Sequence, residues 1–201
     1  MLFSRNSQAR ARSGGIGAVL FASAAVAYPV LVYLGRDQIP LFVFVSGACL
    51  LLVLRAVFVP GGGIALLRLP LLIAAFAIGI LGMIDPATAA KAYPAILSGL
   101  VVTVFANSLR HPPSLIERFA RIKDPQLASV GQNYCRWLTG VWAIWLLANT
   151  LIAGGLAVWA SIGLWTLWTG FISYLVMGTL FVGEIVLRPW LLQRFASAHN
   201  P

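Results

Sequence analysis

Glu184 is the first side chain to consider for chemistry, because it is the one carboxylate that lies inside an apolar run of the sequence. Arg188 follows four residues later, which is the favourable order for an ion pair on a helix. Ionisable groups are costly within a membrane. Glu184 is therefore either half of a structural pair near the membrane surface, or a carboxylate that carries a proton or contacts a substrate. Ser173 lies on the same predicted helix face and is a candidate ligand contact with it.

The second group is basic. The longest connection between apolar runs, residues 110–136, is called the basic connection below, and it holds Arg110, Arg118, Arg121, Lys123 and Arg136. These side chains either form a collar that contacts anionic lipid, or dock an acidic headgroup or an acidic carrier protein. For the docking role we predict Arg110, Arg118, Arg121 and Arg136.

A short helix is predicted within the basic connection. Ser114 and Glu117 have the spacing of a capping box directly after two prolines, and Asp124-Pro125 would end the helix. The predicted apolar face comprises Leu115, Ile116, Phe119 and Ile122, and the predicted polar face comprises Glu117, Arg118 and Arg121. This amphipathic pattern is typical of a helix lying on the inner leaflet.

The tryptophans form the third group, since all seven lie between Trp137 and Trp190. Five are placed as interfacial belts at the ends of the last two apolar runs: Trp159, Trp165 and Trp168 at one end, Trp137 and Trp190 at the other. Trp142 and Trp145 lie deeper and share a helix face with Asn149. These three residues either pack helices together or line a cavity for a flat or extended apolar ligand.

The sequence gives little support for catalysis or metal binding. His111 has Ser114 and Glu117 nearby, but the helix cap explains that spacing better than a catalytic arrangement does. Cys49 and Cys135 have no paired spacing for a metal, redox or disulfide framework. We predict no catalytic residue, no metal site and no cofactor.

The composition requires a membrane to position these groups. Of 201 residues, only 9 % are charged and 60 % are hydrophobic, and the mean hydropathy is +0.91. A soluble domain has about 25 % charged residues. Six apolar runs approach the roughly 20 residues that a spanning helix needs. We predict an all-α, polytopic protein with one transmembrane domain over residues 1–201 and spans at residues 14–35, 39–59, 69–84, 92–109, 137–159 and 165–187.

Proline positions refine this prediction. Pro40, Pro70 and Pro94 are predicted in first helical turns, where a missing N–H costs little. Pro29 lies well inside the first span, so it should free the carbonyl of Ala25 and kink the helix. Tyrosine precedes proline at both Pro29 and Pro94, which is a weak indication of an internal repeat.

Basic residues sort strongly between the two sides of the six predicted spans. Twelve of the fourteen fall on the side of the N-terminus, and Arg36 and Lys91 are the two on the other side. Such an asymmetry places both termini in the cytoplasm. Because topology explains the net charge of +9, we predict no nucleic-acid partner.

Several runs of sequence resemble a known family. They are Tyr28–Gly35, Ser108–Arg118, Tyr134–Thr139 and Ser173–Gly178, together with Gly183-Glu184. They are similar to an uncharacterised family of small bacterial inner-membrane proteins, whose genes commonly lie among those for aryl-polyene or xanthomonadin-type pigment lipids. The resemblance covers nearly the whole chain. It implies a bacterial inner-membrane location and acyl carrier proteins, which are acidic, as partners.

The leading functional prediction is a non-enzymatic membrane component that receives, holds or translocates an acyl or polyene lipid. The four docking arginines would engage the anionic end, and the ligand contacts would be Trp142, Trp145, Asn149, Ser173 and Glu184. The alternatives are a small proton-coupled transporter using Glu184, and a membrane-embedded lipid acyl or glycosyl transferase. The lipid bilayer is a partner in every case, and small-residue helix faces allow a homo-oligomer.

Overall fold

The computed structural model describes residue 23 and residues 26–58 and 68–197, and all regular structure in these ranges is helical. These ranges contain eight α-helices: α1 Val26–Gly35, α2 Leu41–Phe58, α3 Arg68–Ile84, α4 Pro86–Arg110, α5 Leu115–Lys123, α6 Ser129–Trp159, α7 Ile162–Leu167 and α8 Ser173–Ser197. Among the described residues, four helical stretches are long and apolar enough to cross a membrane: α2, α4, α6 and the stretch Ile162–Phe195. Helices α1 and α3 are apolar but shorter. The start of the predicted first span, including the Ala25 carbonyl, lies outside the described residues.

Two helices begin earlier than their apolar runs. Helix α4 begins at Pro86 rather than near residue 92, and α6 begins at Ser129 rather than near residue 137. Asp85 explains the first case, since its Oδ1 accepts the backbone N–H groups of Ala87 (3.0 Å) and Thr88 (3.2 Å) and so caps α4. The prediction that Pro94 occupies a first turn is therefore wrong, because Pro94 lies inside α4.

The chain divides into two compact units that alternate along the sequence. Unit 1 comprises the described residues up to Tyr93 together with Ser161–Gly170. Unit 2 comprises Pro94–Ala160 and the described residues from Phe171 onward. Each unit is described by itself below.

In unit 1, α2 and α3 pack closely through small side chains. The buried residues of α2 include Phe44, Val45, Ala48, Leu52 and Ala56, and those of α3 are Leu71, Ala74, Ala75 and Ile78. Gly82 allows the closest approach, because a Cβ at this position would lie 2.6 Å from Cγ1 of Val45. Lipid tails are as apolar as these side chains, so close van der Waals packing rather than burial from water holds such a pair together.

The tyrosines of the two Tyr-Pro pairs meet in unit 1. The rings of Tyr28 and Tyr93 lie 4.9 Å apart, centroid to centroid. The Tyr28 hydroxyl donates to the Ala90 carbonyl oxygen at 2.7 Å, and the Phe44 carbonyl oxygen lies 3.2 Å away. Pro94 has no N–H with which to pair with Ala90, four residues earlier. Tyr28 therefore satisfies the carbonyl group that Pro94 leaves without its usual donor.

In unit 2, α6 contacts α4, α5 and α8. Against α4, the amide of Asn149 donates to the Ser98 hydroxyl at 3.3 Å, and Ser98 donates to the Leu146 carbonyl oxygen at 3.2 Å. Gly99 faces the Thr150 side chain, 3.3 Å from where a Cβ would stand. These contacts provide the interhelical hydrogen bond and the close packing that the polar and small residues of the two spans predict.

Candidate functional site

The basic connection is folded and fixed at its centre by side chains from the helices on either side. The first two backbone N–H groups of α5 have partners outside that helix: Leu115 donates to Oγ of Ser108 on α4 at 3.0 Å, and Ile116 donates to Oγ1 of Thr139 on α6 at 3.4 Å. The first four N–H groups of a helix have no partner within it. Ser108 and Thr139 supply two of these partners and so attach the start of α5 to α4 and α6.

Glu117 completes the start of α5 from within the helix. One of its carboxylate oxygens accepts the Ser114 backbone N–H at 3.2 Å, as the capping-box pattern predicts. The other accepts two N–H groups of Arg121, at 2.8 and 3.0 Å. The Glu117 side chain is only 8 % exposed. A carboxylate with so little exposure needs partners for both oxygens, and here both have them.

The burial of Glu117 corrects the predicted faces of α5. Ile116 and Ala120 pack against a buried cluster on α6, whereas Phe119 and Ile122 are 61 % and 79 % exposed. The covered face therefore includes Glu117, which the sequence had placed on the polar face. Two large apolar side chains remain exposed on the rest of the helix.

The four docking arginines differ in what they contact. Arg121 is held by Glu117, as described above. Arg118 donates to the carbonyl oxygens of Pro113 (2.8 Å) and His111 (3.3 Å), so its guanidinium fixes the turn before α5. Arg110 and Arg136 are exposed, and neither takes part in an ion pair within the described part of the chain.

A buried cluster lies where the basic connection meets α6 and α8. It is centred on Tyr134, Cys135 and Leu138, and is covered by Ile116, Ala120, Leu127, Trp142, Leu191, Leu192 and Phe195. The Tyr134 ring is 6.0 Å from the Phe195 ring in an edge-to-face arrangement. Residues near the start of α6 thus pack against residues near the end of α8.

Glu184 joins this cluster through Tyr134. The Tyr134 hydroxyl donates to Oε1 of Glu184 at 2.6 Å, and Nε of Arg188 lies 3.5 Å from the same oxygen. The Glu184 side chain is 14 % exposed and that of Arg188 is 55 % exposed. The Glu184–Arg188 pair is therefore present as the spacing predicts, and the tyrosine is an additional partner.

The predicted ligand contacts fall in more than one place. Trp142 packs on the Tyr134 cluster, whereas Asn149 contacts Ser98 on α4. Ser173 is buried. It is eleven residues from Glu184, which is about 16 Å along a helix. A small ligand could not touch both, so any ligand that used all these contacts would have to be extended.

Trp145 carries an unsatisfied donor. Its indole Nε1 atom is buried and has no hydrogen-bond partner among the described residues. Buried polar groups are rarely left in this state, and an unpaired one calls for an explanation such as an absent water or ligand. This N–H is a donor on α6 from which an oxygen atom could accept a hydrogen bond.

A π-helical turn, Trp168–Ile172, precedes α8. A π turn has a different residue period from an α-helix. Ser173 and Glu184 both lie after this turn, in α8, so they keep the regular helical spacing that places them on one face.

His111 and Trp165 each make a hydrogen-bond contact that the sequence did not predict. Nδ1 of His111 lies 3.1 Å from Oδ1 of Asn107, so the imidazole contacts Asn107 rather than Ser114 or Glu117. Trp165 was predicted in an interfacial belt at the membrane surface. It is fully buried in unit 1, and its indole N–H donates to the Lys91 carbonyl oxygen at 3.1 Å. Its depth in a membrane stays a prediction.

Sequence reasoning missed three residues of the site: Ser108, Tyr134 and Thr139. Each is a hydroxyl residue within an amphipathic or apolar stretch, where a helical contact is the ordinary interpretation. All three lie in the runs on which the family resemblance rests, and that position was the available signal. Comparison of the chain with protein-family models, curated proteins and solved structures gives no match, so residues and geometry carry the argument about function.

Proposed function

We propose that this protein is a non-enzymatic component of the bacterial inner membrane that receives, holds or translocates an acyl or polyene lipid. In this proposal an acidic partner or headgroup docks on the basic connection. An acyl carrier protein is the partner that the family resemblance suggests. The chain of the lipid lies along the face of α6 that carries Trp142, Trp145 and Asn149.

One observation carries the proposal: the basic connection is fixed in place while two of its arginines remain exposed and outside any ion pair among the described residues. Ser108 and Thr139 attach α5 to its neighbours, and Glu117 and Arg121 pair with each other. Arg110 and Arg136 are thus displayed on a preformed surface. Binding to such a surface involves less ordering than binding to a flexible loop, which favours recognition.

The topology belongs to the same proposal. In it, α1 and α3 cross the membrane in addition to the four long stretches, which makes six spans. Both termini then lie in the cytoplasm, and the basic connection lies on the inner side. The exposure of Phe119 and Ile122 supports an interfacial position for α5, because these side chains would enter the lipid while nearby basic residues face the headgroups. A fluorescent protein fused to the C-terminus should fluoresce, and a periplasmic alkaline phosphatase fused there should be inactive. The reverse pattern would exclude this topology.

The docking step is tested with purified protein in nanodiscs and an acyl carrier protein. Reversing charge at Arg110 and Arg136 together (R110E/R136E) should weaken binding at least about tenfold and reduce its salt dependence, because exposed charges steer association. The matched control is R68E, which reverses one basic charge on α3, outside the basic connection. Undiminished binding by the double variant would exclude the docking surface.

The lipid step is tested with cis-parinaric acid, a conjugated polyene fatty acid whose fluorescence is excited by energy transfer from nearby tryptophan. The substitution Trp145→Phe removes the orphaned N–H but keeps an aromatic ring. We expect binding to weaken several-fold, because the smaller ring removes apolar contact with the hydrocarbon chain of the ligand. Trp137→Phe is the matched control, because Trp137 is 45 % exposed and lies outside the proposed contacts. Equal affinity in wild type and W145F would contradict a ligand at this position.

A further inference from the structure

A cleft of about 280 Å³ lies in unit 1, apart from the residues of the proposed function. The end of α1, the start of α2, the start of α4 and α7 form it. Its charged lining residues are Arg36, Asp37 and Lys91, and its apolar walls include Val32, Leu41 and Ile162. Small-molecule sites begin at about 300 Å³, so the cleft is at the lower limit of size and would take only a small ligand.

The cleft brings together two basic residues that are far apart in the sequence. Arg36 and Lys91 are the two that the charge count assigns to the side opposite the N-terminus. Asp37 pairs with Arg36 through Nε at 3.3 Å, but its side chain is 79 % exposed. The terminal amino groups of Arg36 have no acceptor among the described residues. These amino groups provide planar N–H donors of the type that carboxylates and phosphates bind.

Asp85 lies near Lys91, but its carboxylate already accepts hydrogen bonds from the start of α4. It accepts hydrogen bonds from Thr88 and Ala87, and those from the Thr88 side chain and backbone hold the pKa of Asp85 below its usual range. Lys91 adds a smaller attraction in the same direction. Asp85 thus serves mainly as the cap of α4, where a negative charge is favourable. The Arg36 guanidinium lies 4.6 Å from the centre of the Tyr33 ring and pairs with Asp37 through Nε only, so its terminal amino groups can still donate to an anion.

The backbone beneath the cleft is held rigidly. The buried Trp165 donates its indole N–H to the Lys91 carbonyl oxygen at 3.1 Å, and Tyr28 donates to the Ala90 carbonyl oxygen at 2.7 Å. Two consecutive carbonyl groups of α4 are therefore fixed by aromatic side chains from other helices. The backbone of Lys91 is therefore held in place before any ligand arrives, which lowers the cost of binding.

We infer that this cleft binds the oxyanion of a small amphipathic molecule, with a phosphate or carboxylate at Arg36 and Lys91. The apolar part of the molecule lies against Val32, Leu41 and Ile162. Charge-assisted hydrogen bonds to a guanidinium are among the stronger polar contacts in proteins. This inference stands independently of the proposed function, because the two rest on different residues.

The test uses the full-length protein in phosphatidylcholine nanodiscs, titrated calorimetrically with hexyl phosphate and with inorganic phosphate. Hexyl phosphate should bind more tightly than inorganic phosphate. R36Q and K91Q should each weaken hexyl phosphate binding at least about tenfold. D37N should strengthen it, because that substitution removes a negative charge from the cleft. R194Q, the same change of charge at an exposed arginine of α8, should leave it unchanged.

R36K retains the charge without the planar donor group, so it should give an intermediate affinity. Circular dichroism of every variant guards against misfolding. Wild-type affinity in both R36Q and K91Q would overturn the site, and equal affinity for the two phosphates would overturn the amphipathic ligand. Nanodiscs containing phosphatidylglycerol identify the source of the oxyanion. Competition by this lipid supports a headgroup in the cleft, and undiminished binding of hexyl phosphate supports a soluble ligand.

Discussion

Tyr28→Phe removes one hydroxyl group and should destabilise the protein measurably. The hydroxyl donates to the Ala90 carbonyl oxygen at 2.7 Å, and both residues are buried, with Ala90 at 0 % exposure. Pro94 cannot provide the backbone donor that Ala90 would have in a regular helix. The carbonyl group would therefore be left without its shortest hydrogen bond and without water to replace it.

Two known ranges of free energy give the expected size of the destabilisation by Tyr28→Phe. An unsatisfied buried polar group costs about 1–3 kcal/mol, whereas hydrogen bonds between membrane helices average about 0.6 kcal/mol and reach about 1.7 kcal/mol. The average is low because lost partners are usually replaced. Pro94 prevents replacement by the usual backbone donor here, so we expect a loss of about 1–2 kcal/mol in the free energy of unfolding.

Reversible unfolding in mixed micelles, followed by circular dichroism, measures this difference. The matched control is Tyr33→Phe, because Tyr33 is 38 % exposed and its hydroxyl makes no hydrogen bond within the described ranges. Its unfolding free energy should stay within about 0.5 kcal/mol of wild type.

A double-mutant cycle isolates the cause. Pro94→Ala supplies an N–H group to the Ala90 carbonyl, so in that background Tyr28→Phe should cost less than about 0.5 kcal/mol. The difference between the two backgrounds is the coupling between Tyr28 and Pro94. An equal cost of Tyr28→Phe in both backgrounds would refute the reasoning, because the hydroxyl would then not be compensating for the proline.

Two further predictions concern packing and the buried carboxylate. Gly82→Ala should destabilise the protein by about 1–3 kcal/mol, because the new Cβ would lie 2.6 Å from Val45. Gly79→Ala is the control and should be nearly neutral, because its Cβ would lie 3.9 Å from the nearest side chain. Equal unfolding free energies for the two variants would contradict the close approach of α2 and α3 at Gly82. Glu184→Gln keeps an acceptor for the Tyr134 hydroxyl. It should lower the free energy of unfolding by less than about 1 kcal/mol, since the Arg188 partner is largely exposed. Glu184→Leu leaves the Tyr134 hydroxyl unpaired and should lower it by about 1–3 kcal/mol. Loss of proton-coupled flux in proteoliposomes of a stable Glu184→Gln variant would favour the transporter alternative.

Local features of the basic connection could be predicted because they depend on neighbouring residues. The α5 helix, its start after Ser114 and the contact of Glu117 with that start follow from a few residues in order along the chain. The Glu184–Arg188 pair is also local, since the two residues are one helical turn apart. Their spacing is a property of the helix itself.

The orientation of α5 could not be predicted in the same way. A helical pattern tells which side chains share a face, but not which face a neighbour covers. In water, apolar side chains would be driven inward; beside a membrane this rule weakens, because lipid accepts them as readily as a protein core does. Phe119 and Ile122 are exposed, and Glu117 is buried with two partners.

Hydropathy, capping residues and charge are properties of neighbouring residues, so they predict an all-helical, strongly apolar chain, the short helix in the basic connection and the asymmetry of its charges. Contacts between distant groups are visible only in the folded chain: Tyr28 with Ala90, Tyr134 with Glu184, and Arg36 with Lys91 in one cleft. Each of these contacts depends on how separate helices are placed against one another. Hydropathy within a single apolar run does not specify that placement.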